Sequence, residues 1–322
     1  MELRLILKAI GFSSLVAIGI PGNVLILVTF LHIRIAEKHL LPPNIILFAL
    51  ASVNLLVILT KGVPQMVKSL GFQNIFNDYE CKTISFVYRV SRGMTICITC
   101  LLSCNQCVIL APPSKSWLFM KQRVPRNVTV IIVALWFVNC SIYPSCILQV
   151  RAIANYTTSE YILYLEFCIH DFMTFASYVA NGTVIALRDF FFVGLMTIAS
   201  VYIVVILYRH GKQVRGIRSS DRNAGRTAEY KAARSVVLLV TIYVVLFGLD
   251  SGLWMYTLFV SRVAPAISDA RVFFGTLYSA LSPIVILKTN KKLQTTLRCA
   301  HKDGAIESPM ETKSSDVPLS KS

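Results

Sequence analysis

A chain of 322 residues that is 55% hydrophobic and only 15% charged has too little charged surface to fold as a soluble domain. Its net charge of +16 would suit nucleic acid if the basic residues shared one soluble face, but they are parcelled out between long apolar runs. The composition excludes a small globular enzyme and makes the bilayer the expected solvent.

Seven apolar runs of 18 or more residues are each long enough to cross about 30 Å of hydrocarbon as a helix. The first lies over residues 10–31 and continues through Pro21-Gly22-Asn23 into VLILVTFL without a small-residue cleavage site, so it reads as a retained anchor. Asn23 within it suits a helix–helix hydrogen bond. The second, residues 43–67, carries Asn54 and a Pro64 expected to kink its outer end. The third, residues 82–110, follows Cys81, holds Arg89 and Arg92 inside the crossing, and is stopped by Pro112-Pro113. The fourth spans residues 128–150.

Residues 151–187 form the longest outer connection, with sequons at Asn155 and Asn181 on the face exposed to the secretory lumen. The sequons at Asn127 and Asn139 fall at the inner edge and inside the membrane and are read as chance. The fifth span, residues 188–209, opens on Arg188-Asp189 and is followed by a basic, polar inner segment up to Arg234. The sixth, residues 235–260, contains Asp250, and the seventh, residues 269–287, contains Ser282-Pro283. Residues 289–322 read as a tail, with Cys299 a palmitoylation candidate beside Leu293 and Leu297 and a Ser-rich, disordered end. Of the 32 lysines and arginines, 21 fall in the segments that alternate onto one side. That asymmetry puts the amino terminus outside and the tail in the cytoplasm of a multi-pass plasma-membrane protein.

The chemistry-bearing residues are few. Cys97, Cys100, Cys104 and Cys107 imitate a metal-ligand spacing, but they lie along one stripe of one helix, where their sulfurs cannot converge on an ion. They read as packing residues, and no metal or other cofactor is implied. Nine cysteines cannot all pair; Cys81 and Cys168 both fall near the outer surface, where a bridge is chemically permitted. The seventh span has no lysine between Ala270 and Leu287, which excludes a retinal Schiff base.

Arg89 and Arg92 are three residues apart on one helix face, next to Tyr88. A rise of 1.5 Å per residue puts them about 12 and 16 Å below Cys81, and Asp250 about 8 Å below the outer edge. Intramembrane charges at comparable depth make either an internal ion pair or an outward-facing pocket, and a surplus of arginine over aspartate suits an anionic ligand. Tyr88, Arg89, Arg92 and Asp250 are therefore the candidate ligand residues. No His pairs with a Cys or Ser at a catalytic spacing.

Several stretches resemble the vomeronasal type-1 receptor family and its fish and amphibian relatives. They are Asn77-Asp78 before Cys81-Lys82, Arg89-Val90-x-Arg92-Gly93, Cys97-x-x-Cys100-Leu101-Leu102-Ser103, Arg188-Asp189, Gly194-Leu195-Met196, Arg209-His210-x-x-Gln213-Val214, Leu249-Asp250-Ser251 and Ser282-Pro283. The order is kept from the first span to the seventh. The marks of rhodopsin-like receptors are missing: no Asp-Arg-Tyr ends the third span, Asn54 stands where an aspartate is usual, and the seventh span lacks Asn-Pro-x-x-Tyr. Cys104 and Cys107 depart from the family pattern.

The resemblance implies an all-α seven-transmembrane bundle of the G-protein-coupled receptor fold with a Cys81–Cys168 disulfide. It implies a pheromone or odorant receptor that binds a small molecule and couples to an inhibitory-type heterotrimeric G protein. The basic inner segment, with Arg209, His210, Gln213, Arg215 and Arg218, is the expected G-protein contact. A bitter-taste type-2 receptor fits the arginine marks less well, and a transporter or channel would be expected to show internal repeats, of which none is visible.

Overall fold

Long apolar runs bounded by prolines and charges leave the chain one way to satisfy its backbone in lipid, which is to coil it. The computed structural model describes residues 2–72, 75–112, 115–152, 162–165, 168–214, 223–259, 265–290 and 292–298. Its helices are α1 (Glu2–Glu37), α2 (Pro42–Val57), α3 (Val63–Ser69), α4 (Asp78–Leu110), α5 (Lys115–Arg126), α6 (Val128–Ile142), α7 (Pro144–Gln149), α8 (Phe175–Val214), α9 (Asn223–Phe259) and α10 (Pro265–Thr289). Residues 292–298 add a helical stretch beyond α10.

Among the described residues six helical stretches are by themselves long and apolar enough to cross a membrane, and a bent pair in the fourth region raises the number to seven. That pair joins α5 to α6 across a 71° bend. Because α5 carries Lys115, Lys121, Arg123 and Arg126, α6 continued by α7 is the better crossing: 15 and 6 residues rise about 31 Å together. The 71° bend then lays α5 across the end of the bundle, where Trp117 stacks on Tyr202 of α8 and Lys121 Nζ donates to the Ala111 carbonyl at the end of α4 (2.8 Å).

Of the boundaries that differ from the sequence expectation, three bear on how the bundle packs. The second crossing is α2 joined to α3 through a π-turn over Ile58–Gly62, immediately before Pro64. The proline lacks an N–H, and the wider turn accommodates the change of hydrogen-bond register. Helix α8 begins at Phe175 rather than at Arg188, because Arg188 and Asp189 bond to each other inside the bundle and do not mark its edge. Helix α9 begins at Asn223, inside the segment expected to be a polar inner loop; RTAEYKAAR is rich in strong helix formers.

Above the bundle, three short strands pair in the order β1-β3-β2, all antiparallel: β1 (Val150–Ala152), β2 (Ile162–Leu165) and β3 (Cys168–Asp171). The sheet is fastened to the amino-terminal end of α4. Cys168 is bonded to Cys81 (Cα–Cα 5.6 Å), and Asp78 Oδ1 accepts from the Ala152 N–H at 2.7 Å. The same end of α4 is closed by a capping box, Asn77 Oδ1 accepting from Glu80 N–H and Glu80 Oε2 from Asn77 N–H (3.0 and 2.9 Å).

Helix α4 is the axis of the molecule. Of its apolar window 78% is buried, against 22–44% in the five other long stretches, so it meets protein on all sides where the others also face lipid. Buried polar side chains tie it inward. Asn54 of α2 donates to Ser282 Oγ of α10 (2.8 Å) and accepts from Thr95 of α4 and Ser279 of α10 (both 3.2 Å). Asn23 of α1 donates to the Ser279 carbonyl at 3.0 Å, the helix–helix bond its position suggested. Cys97, Cys100 and Cys107 are buried free thiols along the axis. Cys107 Sγ lies 3.1 Å from the Ala199 carbonyl of α8.

Candidate functional site

The arginines of α4 are held one turn apart, and they diverge. Arg92 reaches across the bundle: Nη2 donates to Asp250 Oδ2 of α9, and Nη1 lies 3.4 Å from the Tyr88 hydroxyl. Arg89 reaches outward, its Nη2 3.3 Å from Nδ1 of His170 on β3. An offset of three residues turns successive side chains about 60° around the helix, enough for two long arms to meet different partners.

A second arginine completes the surroundings of Asp250. Arg271, near the outer end of α10, places Nε 3.8 Å from Asp250 Oδ1. Lys61 of the π-turn lies over the Tyr88 ring, 5.5 Å from its centroid. One buried carboxylate thus faces two guanidinium groups, with an ammonium group on the far side of the tyrosine. Arg92 and Asp250 line a narrow cavity together with Val57, Tyr243, Phe274 and Tyr278. The cavity is small, about 20 Å³, room for roughly one or two waters, so a larger occupant must part the helices. Beneath it Tyr278 packs edge-on against Tyr243 (4.8 Å) and its hydroxyl bonds Thr99 of α4 (3.1 Å).

A second charged cluster closes the α4–α6–α8 side. Arg188 donates twice to Asp189 Oδ1 (2.9 and 2.6 Å) and once to Asn139 Oδ1 (3.0 Å), and its guanidinium lies 5.4 Å from the Tyr143 ring centroid. Both members of the ion pair are buried. Asp189 is near enough for its charge to act on Arg92, so the two charged clusters feel each other.

His170 is fully buried in the outer sheet, stacked on Phe172 and 3.3 Å from Gln149 Oε1. Burial, and then the Arg89 guanidinium, push its pKa down to about 3, with Asp171 acting the other way. Arginine only donates, so Nδ1 accepts from Arg89 and a single neutral tautomer leaves Nε2–H for Gln149.

The structure therefore brings Tyr88, Arg92 and Asp250 together and sets Arg89 apart. Arg271 and Lys61 escaped the sequence reading although both are charges inside predicted spans, the signal that singled out Arg92. Asn139, dismissed as a chance sequon, is fully buried and central to the second cluster. Asn181 lies in α8 and not in a loop, its Nδ2 3.1 Å from Ser145 Oγ. Arg209 is exposed toward the carboxy-terminal end of α8, and His210 and Gln213 belong to the same helix. Asn155, Arg215, Arg218 and Cys299 lie outside the described residues.

Comparison with known proteins agrees with the family suggested by the motifs. Residues 6–299 match the model of the vomeronasal organ pheromone receptor family. The chain is 40% identical over 301 residues to olfactory receptor class A-like protein 1 of Danio rerio, covering 93% of this chain and 94% of that protein. It is 27% identical to vomeronasal type-1 receptor 90 of Rattus norvegicus (90% and 93% covered) and 27% identical to vomeronasal type-1 receptor 48 of Mus musculus (89% and 94%). Squid rhodopsin superposes with a TM-score of 0.71 over 97% of this chain and 89% of its own, at 16% identity, which shows a shared seven-helix receptor fold. With the family matched over nearly its whole length and a 40% identical relative along the same stretch, the chain belongs to the vomeronasal organ pheromone receptor family.

Proposed function

We propose that this multi-pass membrane receptor of a chemosensory family takes a small anionic molecule into the outer-half cavity beside Arg92 and answers by activating a heterotrimeric G protein of the inhibitory type. The observation that carries this reading is the charge imbalance at Asp250, where Arg92 and Arg271 share one carboxylate and Lys61 stands behind Tyr88. A carboxylate or sulfate on the ligand offers Arg92 a forked partner in place of Asp250.

The narrowness of the cavity supplies the coupling. A ligand that fits only when α4, α9 and α10 separate binds the open arrangement better than the closed one, and that difference in affinity shifts the equilibrium. On this reading the amino terminus is extracellular, the tail is cytoplasmic, and the basic inner segments, Arg209 among them, meet the G protein.

The test is nucleotide exchange on G protein by surface-expressed receptor, challenged with small carboxylic acids, steroid sulfates and amines of matched size. Acids and sulfates are expected to activate the wild type, and Arg92→Ala to raise the half-maximal concentration at least tenfold at unchanged surface expression. An amine that activates wild type and Arg92→Ala equally, with the acids inert, would sink the anionic assignment.

A further inference from the structure

Helix α5 lies at the end of the bundle that holds the carboxy-terminal ends of α4 and α8. Trp117 stacks on Tyr202, and the apolar stretch of α8 runs on from there to Arg209, so the ring sits about 10 Å inside that end. Lys121 Nζ bonds the Ala111 carbonyl, immediately past the apolar stretch of α4, which stops at Leu110. The 71° bend into α6 turns α5 away from the crossing direction. The helix is thus held level with the ends of two crossings, at the depth of lipid headgroups and not beyond them in water.

Its side chains divide into two faces. Trp117, Lys121 and Val124 fall on one side of the helix and are half-buried against the bundle. Phe119, Arg123 and Arg126 share the opposite side and are exposed, with the Arg123 guanidinium 4.8 Å from the Phe119 ring centroid. Leu118 and Met120, also exposed, stand on the flanks. In water such apolar groups would gain nothing from exposure. At a membrane interface they sink into the acyl boundary while the guanidinium groups stay among the headgroups.

No carboxylate of the elements packed around α5 balances these arginines. Helix α4 has no acidic residue after Glu80, α5, α6 and α7 have none, and α8 has none after Asp189. At the end of α1 the arrangement differs, for there Lys292 pairs with Glu37. Arginine forks that face lipid without an acid nearby are complementary to phosphate.

We propose that α5 is an interfacial helix whose Arg123 and Arg126 bind an anionic phospholipid headgroup of the bilayer. The inference rests on the cytoplasmic placement of the tail proposed above, since the cytoplasmic leaflet is the one rich in anionic lipid. A headgroup held there fastens α5 against α8 and α4 through Trp117 and Lys121, so lipid charge stabilises the receptor without entering the cavity beside Arg92.

The experiment places full-length wild type, Arg123→Gln/Arg126→Gln and a control, Lys38→Gln/Lys288→Gln, in nanodiscs of phosphatidylcholine alone or mixed with phosphatidylserine, and follows thermal unfolding. Lys38 and Lys288 are exposed cations near the ends of α1 and α10. Wild type and control are expected to melt about 2–4 °C higher with phosphatidylserine than without it, a gain that fades at high salt. The α5 variant is expected to lose at least half of that gain, measured against its own melting in phosphatidylcholine alone. An undiminished gain in the α5 variant would overturn the inference; if that variant also slowed nucleotide exchange in phosphatidylcholine alone, the face would be a G-protein contact instead. An equal loss in the control would overturn it too, since lipid would then answer to basic charge in general. Nanodiscs offer phosphatidylserine to both ends of the bundle, so the melting result judges the arginine pair whichever way the chain sits, and epitope staining on cells judges the orientation.

Discussion

At the scale of single residues, the tightest geometry is the meeting of Gly93 with the second charged cluster. A Cβ at position 93 would stand 2.3 Å from Asn139 Oδ1 and 2.5 Å from Arg188 Nη1, distances that real atoms do not hold. The glycine is needed for its missing side chain: it lets the Arg188 guanidinium and the Asn139 amide pass against the backbone of α4 and bond each other. Gly93→Ala is expected to destabilise the receptor by roughly 1–3 kcal/mol. Gly248, in mid-helix with nothing within 4 Å of its added Cβ, gives the control. Gly248→Ala is expected to be neutral or stabilising by about 0.5–1 kcal/mol. Melting temperature and surface expression of the two variants check this, and equal behaviour would mean that Arg188 moves aside without cost.

At the scale of elements, the outer sheet is docked on α4 by the disulfide, by Asp78, and by a histidine that must stay neutral. His170 is surrounded by Arg89, Gln149, Phe172 and its neighbour Asp171. In the unfolded chain a histidine takes up its proton near pH 6.5, whereas in the fold it does so only near 3. The docked sheet is therefore fully stable above about pH 6.5 and loses stability as pH falls from there toward 3, by about 3 kcal/mol at pH 4.5. Purified wild type is expected to melt at progressively lower temperature over pH 7 to 4.5, and His170→Gln to show a flatter profile. Parallel profiles would remove His170 as the cause.

The charges of the whole molecule determine how it sits in the membrane. With 21 of 32 basic residues in alternate connecting segments, an epitope at the amino terminus is expected to stain on intact cells and one at the carboxy terminus only after permeabilisation. The reverse pattern would invert every assignment of inner and outer made above. The distribution is legible because it depends on composition between spans and not on contacts. The same holds for the apolar lengths, the proline stops and the intramembrane arginine, each a local property with a cost fixed by the solvent.

Partnership was not legible, because the direction of a long side chain depends on helix rotation, and rotation is set by packing. Arg89 and Arg92 look equivalent in the sequence, yet one meets the outer sheet and the other Asp250. Arg188-Asp189 reads as a boundary but is an internal pair, and Asn139 reads as a stray sequon but is that pair's anchor. The amino-acid order by itself determined a seven-span receptor chain with charges buried inside its spans. Only the tertiary structure decided that α4 is the enclosed axis, that Arg271 shares Asp250 with Arg92, and that Arg188 bonds Asn139 against Gly93. The physical reason is that apolar length and charge act on each span alone, whereas a hydrogen bond requires two helices to be placed first.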